Sequence, residues 1–343
     1  MKFKRPLILG SLFLIVIVLA SALIVHIAQI QTSTPQLARS SNTPAAPSNT
    51  PAASSNTPFD GYGIYDSCSL RNLATCLSNL DNMAAAGFKL VINYGELRGN
   101  ANAQKAYLDH AQSVGIKVIV ALNNPDFYNG ADLSSDFPDL VQTCNCEDNH
   151  GFIQYVVNLV KDHPAVWGYY IGDEVDPGNH DKMKSTLADV VHQLDPKHPR
   201  LFIDNPPHPI ATWRGNSPFF DTADVIGSDF YPVRDNSPDY PTIYEAGIIA
   251  SGVQAYANTH KEDSAIVLQA FSYSQYHIPG TPYPTADQME SMLSQTLANS
   301  HPRIILWYSY DDTMSYNNAE QHWNDLKSTI ARHIQKSTPQ TQQ

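Results

Sequence analysis

Two adjacent carboxylates, Asp173 and Glu174, stand at the end of an apolar and aromatic run, Val166-Trp-Gly-Tyr-Tyr-Ile-Gly172. Neighbouring acids suit proton-transfer chemistry: they resist double ionisation, and one pKa rises toward neutrality. The run, bounded by Pro164 and by Pro177-Gly178, has the composition of a strand covered on both faces of a parallel sheet. Carboxylates at the C-terminal end of such a strand face a ligand cleft. Acidic residues also open loops and cap helices, so the pair needs support from the rest of the chain. Adjacent strand side chains tend to point opposite ways, which leaves direct coupling of the two acids open.

The elements that must position this pair follow from periodicity. Beyond Phe59, short apolar runs alternate with amphipathic segments, giving eight expected strands: 61–65, 89–94, 117–123, 166–172, 201–204, 225–229, 265–270 and 304–308. Between them Leu73, Leu77, Leu80 and Met83 share one helical face, as do Tyr107, Ala111 and Val114, and Val190, Val191 and Leu194. Gly87 and Gly115 stand where helices should stop before the second and third strands. Such alternation builds either a closed (β/α)8 TIM barrel or an open doubly wound sheet. The first strand runs into Tyr65-Asp66-Ser67-Cys68 without a Gly-x-Gly-x-x-Gly turn, which removes the main support for a dinucleotide-binding sheet. A single α/β barrel over residues 59–335 is therefore expected, with a longer insertion at 124–149 after the third strand.

In a barrel the strand ends carry the site. They supply Tyr65 and Asp66; Asn93, Tyr94 and Glu96; Asn123 and Asn124; Asp173 and Glu174; Asp204 and Asn205; Asp229 and Tyr231; Gln269 and Tyr273; and Trp307, Tyr308 and Asp311. Tyr170, just before the acid pair, joins them. Amides and carboxylates hydrogen-bond hydroxyls, and aromatic faces pack on the apolar faces of sugar rings, so the set describes an oligo- or polysaccharide cleft. The thirteen histidines are scattered, with no His-x-His at a strand end, so no metal or other cofactor is expected. His180 and His208 are the two that could line the cleft.

The segment from His163 through Val175 resembles the fourth strand of (β/α)8 glycoside hydrolases, where a Glu at the strand end is the proton donor. The segments beginning at Asp224, Val267 and Ile304 resemble strands six, seven and eight of clan A-like members, so the likeness extends over about 59–334. It implies glycosidase activity with Glu174 as general acid. Clan A retaining enzymes carry a Glu nucleophile at the end of strand seven; here that place holds Gln269, and Asp173 stands where the clan has Asn. An amide is a far weaker nucleophile than a carboxylate. Retention needs carboxyls roughly 5 to 5.5 Å apart, inversion roughly 6.5 to 9.5 Å. Three arrangements remain open: Asp229 or Asp204 as base on a water; a substrate-assisted route like that of family 20 hexosaminidases, with Glu174 as acid and Asp173 orienting an acetamido group; or a carbohydrate-binding pseudoenzyme.

The ends of the chain set its compartment. Lys2, Lys4 and Arg5 precede an apolar stretch long enough to span a bilayer, so residues 1–30 are expected to be a signal anchor or a signal peptide, with the length favouring the anchor. Residues 31–58 repeat Ser-Asn-Thr-Pro at Ser41, Ser48 and Ser55 and are expected to be a disordered linker; 336–343 form a tail. The barrel should thus lie outside the cell, anchored or secreted, with the membrane as its second partner. A net charge of -12 argues against nucleic acid. Cys68, Cys76, Cys144 and Cys146 suit disulfides in an oxidising compartment. A Cys68–Cys76 bridge would close a loop onto the first helix, a Cys144–Cys146 bridge would be unusually tight, and cross-pairing stays open.

Overall fold

The computed structural model describes residues 57–205, 218–234, 242–276 and 278–337. The expected anchor over 1–30 and all but the last two residues of the expected linker lie outside them. Among the described residues, no helix is long and apolar enough to cross a membrane.

Eight parallel strands close into a barrel in sequence order, β1 to β8. They are β1 Gly61–Asp66, β2 Leu90–Asn93, β3 Lys117–Ala121, β4 Val166–Asp173, β5 Arg200–Asp204, β6 Val225–Phe230, β7 Asp263–Gln269 and β8 Ile304–Tyr308. Each falls on an expected apolar run. The closed order rules out the open doubly wound sheet.

The helices packed outside begin with α1 Leu73–Ala85 and α2 Ala101–Val114. Gly115 ends α2 at φ 77°, a left-handed position that glycine adopts without a Cβ clash. The insertion after β3 contains two short helices, α3 Asp126–Asn129 and α4 Pro138–Cys144, and leads into α5 Asn149–Val160. After β4, α6 His180–Met183 passes through a π turn, Lys184–Ala188, into α7 Asp189–Leu194. Then come α8 Glu245–His260, α9 Ala286–Asn299, α10 Tyr310–Ser315 and α11 Ala319–Ser337. The last helix runs two residues into the stretch expected as tail.

Side-chain alternation divides the core in two. Leu90, Ile92, Ile119, Leu201, Ile203, Val225, Val267 and Leu306 fill the barrel interior, while Ile64, Val91, Val118, Phe202, Ile226, Leu268 and Ile305 pack outward on the helices. At the N-terminal mouth Trp167 donates to Asp60 at 2.8 Å beneath the Arg303 guanidinium, 4.9 Å from the indole. Arg303 also bonds Asp60 at 2.7 Å and Asp263 at 3.2 Å. That end is closed by packing and paired charge, which leaves the C-terminal ends of the strands as the open mouth. Cys68 bonds Cys76, with Cα atoms 5.5 Å apart, and Cys144 bonds Cys146. Both bridges are local; cross-pairing does not occur.

Candidate active site

The geometry of the acid pair starts with a register shift. β4 slips against β5 between Tyr170 and Gly172, so one extra residue, Ile171, is accommodated on β4. Tyr170 faces the barrel interior and Ile171 the helices; the bulge then returns Asp173 to the inner side. Gly172 is required there, because a Cβ would meet the Phe202 ring at 2.4 Å. Glu174 keeps its backbone bond to β5, its N–H donating to Ile203 O at 2.9 Å, but adopts φ 46°. A non-glycine residue in that region costs about 1–2 kcal/mol. The turn brings Glu174 to the same cavity as Asp173, so strict alternation does not separate the two acids, and the Glu174 carboxylate adds to burial in raising the proton affinity of Asp173.

A cleft of about 370 Å³ opens over the barrel. Its acids are Asp173, Glu174 and Asp229; its walls are Tyr65, Tyr94, Tyr231, Phe271, Tyr273, Tyr276 and Tyr308, with Ile203 between β5 and the acids. The rings form a connected set: Tyr65–Tyr308 centroids are 5.1 Å apart, Tyr65–Tyr94 5.6 Å, Tyr231–Phe271 5.0 Å and Phe271–Tyr273 5.0 Å. Tyr170 lies beneath this wall, 5.9 Å from Tyr65 and edge-on to it.

The three acids differ in environment. Glu174 is exposed, Asp173 is recessed, and Asp229 is buried at 7% exposure. Tyr94 donates to Asp173 Oδ2 at 2.9 Å. Burial nonetheless lifts the Asp173 pKa above its ordinary value, against the lowering effect of the Tyr170 and Tyr94 hydroxyls. Asp229, inward-facing on β6, is pushed up much further, first by burial and then by Glu174, with which its carboxyl is in hydrogen-bonding contact. Burial and the neighbouring carboxyl both favour the protonated form of Asp229. Sequence alone left open which acid carries the raised pKa; the larger rise falls on Asp229, because Asp229 is the member removed from water.

That contact also alters the second expectation for Asp229. Carboxyls in hydrogen-bonding contact favour exchanging a proton over holding a water between them, the arrangement an inverting couple has at roughly 6.5–9.5 Å.

Several strand-end polars face elsewhere. Gln269 is fully buried behind the cleft: its Oε1 accepts from Val233 N–H at 2.8 Å, and its Nε2 donates to Val233 O at 2.9 Å and Phe271 O at 3.1 Å. Asn93 is likewise used on backbone, donating to Cys68 O at 2.9 Å and accepting from Gly95 N–H at 2.8 Å. Trp307 points outward into the helix-side core. Asp204 alternates outward from Ile203, close enough to Tyr256 of α8 to raise its pKa, and does not line the cleft. Asn205 is exposed, Asn123 is half-buried, and neither lines the cleft. Asp66 lies behind the wall against Asp311, with its pKa lifted to about 7 by burial and by that neighbour. His180 is tied to Asp181 and Asp221 at 2.8 Å each, and His208 lies outside the described residues. Ile203, Phe271 and Tyr276 line the cleft without having been expected to. For the two aromatics a signal existed in Phe271-Ser-Tyr-Ser-Gln-Tyr276, a dense ring cluster just past β7. Among the described residues, no group of three or more His, Cys, Asp or Glu side chains could hold a metal ion.

No protein-family model matches this chain. No curated protein matches it. Solved structures do. A putative α-L-fucosidase from Bacteroides thetaiotaomicron VPI-5482 superposes with a TM-score of 0.56 at 12% identity, covering 84% of this chain and 99% of that one. A glycoside hydrolase family 5 protein from Bacteroides vulgatus ATCC 8482 gives 0.55 at 13%, covering 81% and 67%. The exo-β-1,4-mannosidase Op5Man5 from Opitutaceae bacterium strain TAV5 gives 0.51 at 15%, covering 82% and 60%. At these identities the likeness shows the fold they share, the (β/α)8 barrel.

Proposed function

We propose that this protein is a glycoside hydrolase whose proton donor is Glu174, working with Asp229. One observation carries the reading: an exposed glutamate at the end of β4 touches a buried aspartate, whose burial raises its proton affinity, inside a cleft walled by aromatic rings. The glycosidase names of structures with the same fold support it.

In this mechanism the substrate meets Glu174 first, since it is the exposed member of the pair. The proton shared with Asp229 passes through Glu174 to the glycosidic oxygen as the bond from that oxygen to the anomeric carbon breaks. Positive charge develops on the sugar ring, beside the Asp173 carboxylate and the tyrosine faces. A water, or the sugar's own neighbouring substituent followed by water, completes the anomeric carbon, and the proton lost from that water restores the pair. Gln269 takes no part, because both ends of its amide are already bonded.

The test is Glu174→Gln in the purified barrel. Hydrolysis of unactivated oligosaccharides should fall at least ~100-fold, and hydrolysis of aryl glycosides with good leaving groups should fall much less, because they need little protonation. Unchanged hydrolysis of both would overturn the assignment. Glycan binding without turnover of any bound sugar by the unaltered protein would make the barrel a binding module instead.

We further propose that the barrel works outside the cell, tethered by the apolar stretch within residues 1–30 and held off the membrane by 31–58. Protease shaving of intact cells should release it; protection from the protease would overturn this placement.

A further inference from the structure

Resting on the glycosidase reading of this same cleft, we propose that its preferred substrate is a sugar chain bearing free ammonium groups, a 2-amino-2-deoxyglycoside, with Asp173 as the ammonium partner.

The cavity's polar lining is one-sided. Asp173, Glu174 and Asp229 all present carboxyl groups to it, and among its described lining residues there is no Lys, Arg or His. Arg234 stacks over the Tyr273 ring, 5.0 Å from its centroid, and is not part of the lining. Asp229 Oδ1 is buried and accepts no hydrogen bond, in a residue only 7% exposed. A neutral hydroxyl entering this space would offer one donor and no charge. An ammonium offers three donors and the charge that three crowded carboxyls lack.

The walls favour the same group. Tyr65, Tyr94, Tyr231 and Tyr308 surround the acids, and the negative faces of such rings attract cations in a partly desolvated site. Asp173 is the best-placed partner: it is recessed, and Tyr94 fixes its orientation through a 2.9 Å hydrogen bond. Glu174 and Asp229 keep the proton that the reaction requires. A cation beside Asp173 also stabilises its charged form, which burial disfavours.

The experiment compares three β-linked trisaccharides of equal length with the purified protein near pH 6: one fully deacetylated with free 2-amino groups, one N-acetylated and one with plain hydroxyls. We expect kcat/KM at least ~10-fold higher for the deacetylated chain, a preference that shrinks as salt rises from about 50 mM to about 0.5 M. In Asp173→Asn the preference should collapse toward one. Calorimetry of the Glu174→Gln protein should show tighter binding of the deacetylated chain than of either neutral chain, and adding Asp173→Asn should remove that difference. Equal or faster cleavage of a neutral chain would overturn the ammonium preference and leave the glycosidase reading standing. Tighter binding of the deacetylated chain with no cleavage of any sugar would overturn the glycosidase reading and keep ammonium recognition.

Discussion

Gln269 grips Val233 at both ends of its amide, accepting from the Val233 N–H at 2.8 Å and donating to the Val233 carbonyl at 2.9 Å. The side chain at the strand-seven position thus anchors the loop that follows β6, two residues beyond Tyr231 of the cleft wall.

Restoring a carboxylate at this position should harm the protein without creating a nucleophile. In Gln269→Glu an ionised side chain would face the Val233 and Phe271 carbonyls with no proton to give. The expected cost is about 2–4 kcal/mol by urea unfolding at pH 8, and less at pH 5, where a protonated Glu can donate one bond again. Covalent trapping by an activated fluoroglycoside should label no residue at position 269.

Removing the Tyr94 hydroxyl should shift a titration. Tyr94 stabilises the Asp173 carboxylate through a charge-assisted bond, so Tyr94→Phe raises the Asp173 pKa. Where ionised Asp173 carries the reaction, the acid limb of the pH–rate profile moves to higher pH. A limb that stays in place would take Asp173 out of the reaction.

Stability should decline as pH rises toward 8. Glu96 is fully buried with one hydrogen bond from Gln104 at 3.2 Å, and burial lifts its pKa to about 8; Asp66 is lifted to about 7. The unfolded chain gives up these protons near pH 4, the folded chain only near 7–8, so the stabilisation is complete below about pH 4 and lost as pH rises through the folded values. Asp224, whose pKa is lowered through its bonds to Arg200 despite the opposing effect of burial, acts in the other direction and loses its contribution as pH falls below the ordinary Asp value. The stability maximum should therefore lie on the acid side of neutrality. Glu96→Gln should flatten the slope between about pH 5 and 8, a change of roughly 3–5 kcal/mol at the upper end, read by thermal unfolding across that range.

Reduction should cost stability through Cys68–Cys76. This bridge joins the loop after β1 to α1 with a sequence separation of 8. Closing a loop of that size is worth about 2.5 kcal/mol on the chain-entropy estimate. The Cys68→Ser/Cys76→Ser protein should lose about that much in denaturant unfolding, and its stability should no longer respond to dithiothreitol at this site.

The sequence alone determined the barrel. Eight apolar runs at strand length, separated by amphipathic helical faces, are local patterns, and each of β1 to β8 lies on one of them. It also marked the strand ends that carry Asp173, Glu174, Asp229 and most of the tyrosine wall. Tertiary structure decided which strand-end polars face inward. Asn93, Trp307 and Gln269 stand at strand ends as the cleft residues do, yet their side chains go to backbone groups or to the helix-side core. The direction of a side chain at a strand end depends on register, bulges and the following loop, none of which is encoded in a local pattern. At the acid pair, a slip of β4 against β5 and a positive φ at Glu174 brought two neighbouring residues to one cavity. A residue 55 positions away, Asp229, then took the raised pKa, because proton affinity follows burial and contact in space, and both arise only when the barrel closes.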